Sequence, residues 1–166
     1  MARFKLKSQI KEIDTKDLIY LAGFIDGEGT ISILRNNRSE KRKRDIEYRP
    51  YLSVSNTNKE VLDWIVSVSG VGKVYREKVA SKACKNPTRG FWKYYLMGTN
   101  AIAFANLLLP YLRIKRLQAE ILLNYGKTII RENLPYRVPE NIWLERKDLM
   151  ENVKKLNQRG ENSLIN

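Results

Sequence analysis

The sequence contains no histidine, a single cysteine and five prolines in 166 residues. The missing histidine excludes nucleases and other hydrolases that use an imidazole as general base, and it excludes His-ligated zinc. One thiol, Cys84, makes neither an intramolecular disulfide nor a zinc finger. A reducing intracellular setting is therefore expected, a prokaryotic cytoplasm or nucleoid or an organelle matrix. No apolar run reaches the roughly 18 residues that a membrane span requires. The stretch around Ala101–Leu112 is broken by Asn106 and Pro110 and reads as a core helix. Met1 to Lys16 lacks the apolar centre of a secretory signal, and Glu12 and Asp14 weaken a transit-peptide reading. Internal repeats and low-complexity linkers are also missing, so one core and one domain are expected.

Acid is scarce. Against 31 Lys and Arg stand 18 Asp and Glu, for a formal net charge of +13. That excess points to a polyanionic partner whose phosphates would release counterions on binding. A solvated basic surface or an acidic membrane surface is the alternative reading of the charge taken alone.

Periodicity predicts helix, strand pair, helix, strand pair, then further helices. A helix over 17–27 places Leu18, Leu21, Ala22 and Ile25 on one face, with Asp14-Thr15 as its cap. Strands follow over 30–35 and 47–55, joined by a basic connection over 36–45. Pro50 argues for a bulge or an edge position in the second strand. Asn56-Thr57-Asn58 offers a cap for a helix over 59–69, which Gly70 and Gly72 end. Strands over 73–78 and 91–97 lead to a helix over 101–109 capped by Thr99 or Asn100. Helices over 115–130 and 141–158 complete the chain, the last with Ile142, Leu149, Val153 and Leu156 on one stripe. The expected organisation is an N-terminal extension over 1–13, an α+β domain over 14–158 and a tail over 159–166.

The most informative segment is Leu21-Ala22-Gly23-Phe24-Ile25-Asp26-Gly27-Glu28-Gly29. Each glycine costs a helix roughly 0.8–1 kcal/mol against alanine, so their repetition implies that close backbone approach is needed. Gly23 and Gly27 share one helical face and leave a shallow groove that suits another helix. Asp26 and Glu28, two apart, point roughly 200° from each other and do not pinch one ion. One acid per helix, met by a second copy at a dimer axis, solves that geometry. Without histidine, phosphodiester hydrolysis is well served by a divalent metal, and magnesium prefers oxygen ligands. Glu28 at the helix end is the better placed acid. Asp26 is expected to bond neighbouring backbone and fix the helix end.

These nine residues resemble the signature of the LAGLIDADG homing endonucleases, matching at Leu21, Ala22, Gly23, Ile25, Asp26 and Gly29 and departing at Phe24, Gly27 and Glu28. Leu109-Pro110-Tyr111-Leu112, Lys115 and Gln118-Ala119 are similar to the family's later helical region. The resemblance implies an αββαββα fold with extra C-terminal helices, whose curved antiparallel four-stranded sheet sits on duplex DNA. It implies a homodimer, since only one signature is present, joined through Tyr20, Gly23, Phe24 and Gly27. It further implies Glu28 as the catalytic acid, the Gly27 carbonyl as a metal ligand, Lys115 as a basic residue that polarises solvent or stabilises charge, and Asn56 as a polar residue that orders water. Mg²⁺ is the implied cofactor, with Mn²⁺ able to substitute. Most members carry Asp where Glu28 stands, so the longer arm alters the metal distances. The family's third basic position falls at Lys59 and Glu60 and has no clear occupant here.

Alternation assigns one face of the predicted sheet to nucleic acid. It carries Thr30, Ser32, Leu34, Asn36 and Arg38, then Glu47, Arg49, Tyr51, Ser53 and Ser55, then Lys73, Tyr75 and Glu77, then Lys93 and Tyr95. A plain solvated face is the bland alternative. The basic run Arg38 with Lys41, Arg42, Lys43 and Arg44 suits backbone phosphates, which position rather than specify. The expected activity is site-specific double-strand DNA cleavage, with 3′ overhangs and an intron-encoded origin implied by the resemblance. The rivals are an intron RNA-binding maturase, expected to lose the acid at position 28, and a non-cleaving DNA-binding protein on the same fold.

Overall fold

The structure is a computed structural model and describes residues 9–37, 46–77, 90–130 and 138–158. Its elements run α1 (Thr15–Glu28), β1 (Gly29–Asn37), β2 (Ile46–Asn56), α2 (Lys59–Ser69), β3 (Lys73–Glu77), β4 (Phe91–Met97), α3 (Thr99–Leu108), α4 (Arg116–Ile130) and α5 (Glu140–Leu156). The fold is α+β, in the expected order. The Asp14 carboxylate caps α1 by accepting from the Lys16 N–H at 2.8 Å. No helix among the described residues is long and apolar enough to cross a membrane.

The four strands form one antiparallel sheet in the order β1-β2-β4-β3. Ile31, Ile33, Leu52, Val54, Tyr94 and Leu96 point to its helical side and are buried. There they join Leu21 and Ile25 of α1, Leu62 and Ile65 of α2, Phe104 and Leu108 of α3, Leu122 of α4 and Val153 of α5 in one core. Each such side chain contributes about 1.5–3 kcal/mol by leaving water. This pattern fixes the register, because a slip of one residue would turn the apolar set outward.

Two local expectations are corrected. Pro50 marks neither a bulge nor an edge strand, since β2 is interior and its pairing with β1 runs without interruption from Gly29↔Val54 to Asn37↔Ile46. Proline is tolerated because β4 pairs only with Tyr51–Asn56. Beyond that ladder the alternate carbonyls of β2 find other donors. Ile46 accepts from Trp143 Nε1 at 3.3 Å, Tyr48 from the Tyr125 hydroxyl at 2.6 Å, and Pro50 from the Gly98 N–H at 2.9 Å. The Gly98 carbonyl, which a β ladder would have offered to residue 50, accepts from Ala101 and Ile102 at the start of α3 instead. Nothing therefore waits for the N–H that proline lacks.

The cap of α3 is likewise Gly98, with no side-chain bond, rather than Thr99 or Asn100. Asn100 accepts from the Gln9 N–H at 3.3 Å. With the Lys11 N–H donating to Ser69 O at 3.0 Å and Ile10 and Ile13 against the core, residues 9–13 dock onto the domain. Cys84 and the tail over 159–166 lie outside the described residues.

Candidate functional site

The end of α1 sets the two acids apart. Asp26 is buried, at 8% exposure. Its carboxylate accepts from the backbone N–H groups of Arg113 at 2.7 Å, Ile114 at 3.2 Å and Lys115 at 2.9 Å. Those donors sit in the turn that leads into α4, where an anion is electrostatically favoured. Asp26 does fix backbone, as expected, but the backbone belongs to a segment 87–89 residues further along the chain. Glu28, by contrast, projects from the helix end and is exposed.

This anchoring delivers Lys115 to α1. Its Nζ donates to the Asp26 main-chain carbonyl. Burial pulls the Lys115 pKa below the ordinary lysine value, and the charges of Asp26 and Glu28 oppose that shift only in part. Glu28, Gly27 and Lys115 are thus gathered at one place. The third glycine of the signature, Gly29, permits the abrupt turn from helix to strand. Its N–H bonds Ile25 O, and a side-chain carbon there would lie 2.7 Å from that oxygen.

Asn56 lies at the same end of the sheet but alternates with Leu52 and Val54, on the helical side. Its Oδ1 accepts from the Asn58 N–H at 2.8 Å, while Asn58 Oδ1 caps α2 by accepting from Glu60 and Val61. At the position left open by the resemblance, Lys59 pairs with Asp63 at 2.5 Å and sits over the Trp92 ring at 5.2 Å.

Among the described residues no group of three or more His, Cys, Asp or Glu side chains could hold a metal. One chain presents the exposed Glu28 carboxylate, and beside it the Gly27 carbonyl, one of the last four of a helix that have no intrahelical donor. These hard oxygen donors suit magnesium in kind.

The outer face of α1 is apolar and open. Tyr20 is 54% exposed, Gly23 and Gly27 are exposed, and a side-chain carbon at either glycine would meet nothing within 4 Å. Phe24, half-buried, stacks on Tyr20 at 6.0 Å, and Tyr20 meets Trp64 edge-on at 5.3 Å.

The face of the sheet away from the helices carries the alternating set read from the sequence. Thr30, Ser32, Leu34 and Asn36 pair across to Ser53, Tyr51, Arg49 and Glu47. Ser55 pairs with Lys93, Ser53 with Tyr95, Lys73 with Tyr95 and Tyr75 with Lys93. Glu77↔Phe91 and Tyr51↔Met97 add Phe91 and Met97 to this face, which the sequence reading omitted although both continue the alternation of Lys93 and Tyr95. The middle is crowded. Tyr95 packs between Tyr51 at 6.1 Å and Tyr75 at 5.9 Å, and Lys93 lies over the Tyr51 ring at 5.8 Å with Glu77 at 3.7 Å. Burial lowers the Lys93 pKa, and its contacts with Tyr51, Tyr75 and Glu77 outweigh that and raise it overall. Arg38, Lys41, Arg42, Lys43 and Arg44 lie outside the described residues.

Several solved structures share this architecture. The homing endonuclease I-CvuI, in complex with the I-CreI target in the presence of Mg with the DNA not cleaved, superposes with a TM-score of 0.71 at 25% identity over 90% of this chain and 87% of that one. An archaeal intron-encoded homing endonuclease, I-Vdi141I, complexed with DNA, gives 0.68 at 18% identity over 87% and 86%. I-SmaMI bound to cleaved DNA gives 0.65 at 16% identity over 89% of this chain but 48% of that one, so this chain spans about half its length. Likeness at 18% and 16% identity is one of fold. No curated protein matches the sequence. The family model described as LAGLIDADG endonuclease matches residues 21–129, well over half the chain, and the protein belongs to that family.

Proposed function

We propose that this protein is a site-specific homing endonuclease that hydrolyses both strands of duplex DNA as a homodimer with a divalent cation. One observation carries the reading. Glu28, Gly27 and Lys115 meet at the open end of α1, directly before the strand that starts the polar sheet face. A second copy docked on Tyr20, Gly23, Phe24 and Gly27 supplies the second carboxylate. A two-fold dimer binds a near-palindromic site, as symmetry requires.

Glu28 and the Gly27 carbonyl would hold Mg²⁺, or Mn²⁺ in its place, which when bound would supply an activated water and neutralise developing phosphate charge. Structures of I-CvuI with the I-CreI target in the presence of Mg and with its own target in the presence of Ca are in keeping with a divalent ion. Lys115, half-buried and fixed through Asp26, directs its ammonium at the phosphate oxygens or the attacking water, where a preorganised charge acts most strongly. Asn56, at the same end of the sheet, orders water nearby. Cuts across the minor groove that leave 3′ overhangs, an intron-encoded origin and work in a reducing compartment complete the proposal.

The test is cleavage of a randomised duplex library with Mg²⁺ and with Ca²⁺ by the wild type and Glu28→Gln. Defined double-strand cuts with Mg²⁺ alone, lost in Glu28→Gln while dimeric DNA binding persists, are expected. Selective duplex binding without any cut would favour a non-cleaving DNA-binding protein. Tighter binding to structured intron RNA, with no DNA cleavage, would favour a maturase.

A further inference from the structure

On the open face of the sheet, Arg49 is held differently from Lys93 among the described residues. Arg49 stands on the interior strand β2, two residues from Glu47 on the same face. Its Nε donates to Glu47 Oε2 at 2.8 Å, and Nη2 lies 2.8 Å from the same oxygen. The two side chains are 40% and 31% exposed. Ion pairs this open contribute little to stability. What the pair does is geometric. A guanidinium is a rigid planar fork, and Glu47 engages its Nε–Nη2 edge. That leaves the Nη1–Nη2 edge for a further acceptor.

We propose that Arg49 reads a guanine in the major groove of each half-site, with Glu47 as the residue that positions it. The inference rests on the endonuclease reading above. The fork matches the O6 and N7 acceptors of guanine in a bidentate pair. A phosphate is the poorer partner, because the neighbouring Glu47 carboxylate repels it and cancels most of the attraction that arginine offers. A base edge carries no net charge and meets no such repulsion. Across the strand, Leu34 stands opposite Arg49 and Asn36 opposite Glu47. By contrast Lys93 is engaged by Glu77 and lies over the Tyr51 ring, as an ammonium that has no fork to align.

The experiment is selection from a randomised duplex library by the full chain in Ca²⁺, comparing the wild type with Arg49→Ala, Arg49→Lys and Glu47→Gln. The wild type should enrich guanine at one position of each half-site by roughly 5- to 150-fold. Both Arg49 variants should lose that preference and keep the others. Glu47→Gln should weaken the same preference, with a salt dependence close to that of the wild type. All three should keep the wild-type unfolding midpoint. Unchanged guanine enrichment in Arg49→Ala would overturn the proposal. So would a uniform loss of affinity at every position with a shallower salt slope, since that marks a phosphate contact. A wild type that binds duplex with no sequence preference overturns the endonuclease reading itself, and this inference with it.

Discussion

The carboxylate of Asp26 accepts from the main-chain N–H of Lys115 at 2.9 Å, across 89 residues of sequence. The Lys115 side chain returns to the carbonyl of Asp26. The end of α1 and the start of α4 are thereby locked as a unit, and the amine that faces Glu28 inherits its position from an acid that is itself buried.

Removing that acid should cost stability and activity together. Asp26→Asn leaves one oxygen for three N–H donors and places an amide where an anion was favoured. Hydrogen bonds to charged groups contribute about 1.5–3 kcal/mol each, and three on one carboxylate do not add. A loss of about 2–4 kcal/mol is expected in urea unfolding, with cleavage reduced more than DNA binding. An unfolding curve that coincides with the wild type would refute the anchoring role.

Glu28→Gln should behave oppositely. A carboxylate at the negative end of a helix is unfavourable by about 0.3–1 kcal/mol. The variant should therefore melt at or slightly above the wild-type temperature while cleavage disappears. Calorimetry beside a single-turnover cleavage assay checks both halves, and a destabilised variant would show that Glu28 holds structure instead.

The Lys115 ammonium sets an alkaline limit on activity. Its pKa lies below 10.5 because burial disfavours the charge. Cleavage that relies on the ammonium should fall as pH rises through that lowered value. Lys115→Arg should carry the alkaline limb upward, and Lys115→Met should abolish it along with most of the rate. The stability sign is the reverse. Between the lowered value and 10.5 the unfolded chain binds more protons, so this group favours the folded state increasingly as pH rises across that window. A pH–rate profile whose alkaline limb is the same in wild type and Lys115→Arg would exclude this role.

Gly23 separates folding from assembly. A side-chain carbon added there meets nothing within 4 Å in the single chain, so Gly23→Leu should gain up to about 0.8–1 kcal/mol of helix propensity. The same side chain would hold two α1 helices apart. Sedimentation should find a well-folded monomer that no longer cuts both strands. A dimer of unchanged affinity would place the interface elsewhere.

Tyr94 predicts alkaline unfolding. It is fully buried, its hydroxyl donates to Val71 O at 3.2 Å, and burial pushes its pKa up to about 12. The folded state keeps this proton where the unfolded state loses it above pH 10. Stability of roughly 2–3 kcal/mol should therefore disappear between pH 10 and about 12. Tyrosinate absorbance and circular dichroism should change together there, and earlier in Gly72→Ala. At Gly72 φ is +91° and a side-chain carbon would lie 2.3 Å from the Tyr94 ring.

Much of the fold was legible because its signals are local. The apolar spacing of Leu18, Leu21, Ala22 and Ile25 names the buried face of α1, and period-two alternation places Ile31, Ile33, Leu52, Val54, Tyr94 and Leu96 on the core side of the sheet. The nine-residue signature named the family. Partner choice was not legible. The sequence did not show that Asn56 accepts from the Asn58 N–H, nor that α3 is capped by Gly98 rather than by the better capping residues beside it. Pro50 reads as an edge residue until the end of the β4 ladder is known.

The sequence by itself determined which faces are apolar, which are polar and basic, and that one acid would end an apolar helix rich in glycine. Only the tertiary structure decided that Asp26 faces inward to grip residues 113–115 and that Lys115 comes to Glu28. The physical reason is range. Periodicity and capping act over a few residues of chain, whereas a carboxylate chooses its donors by where packing brings them, and that choice exists only once the core has closed.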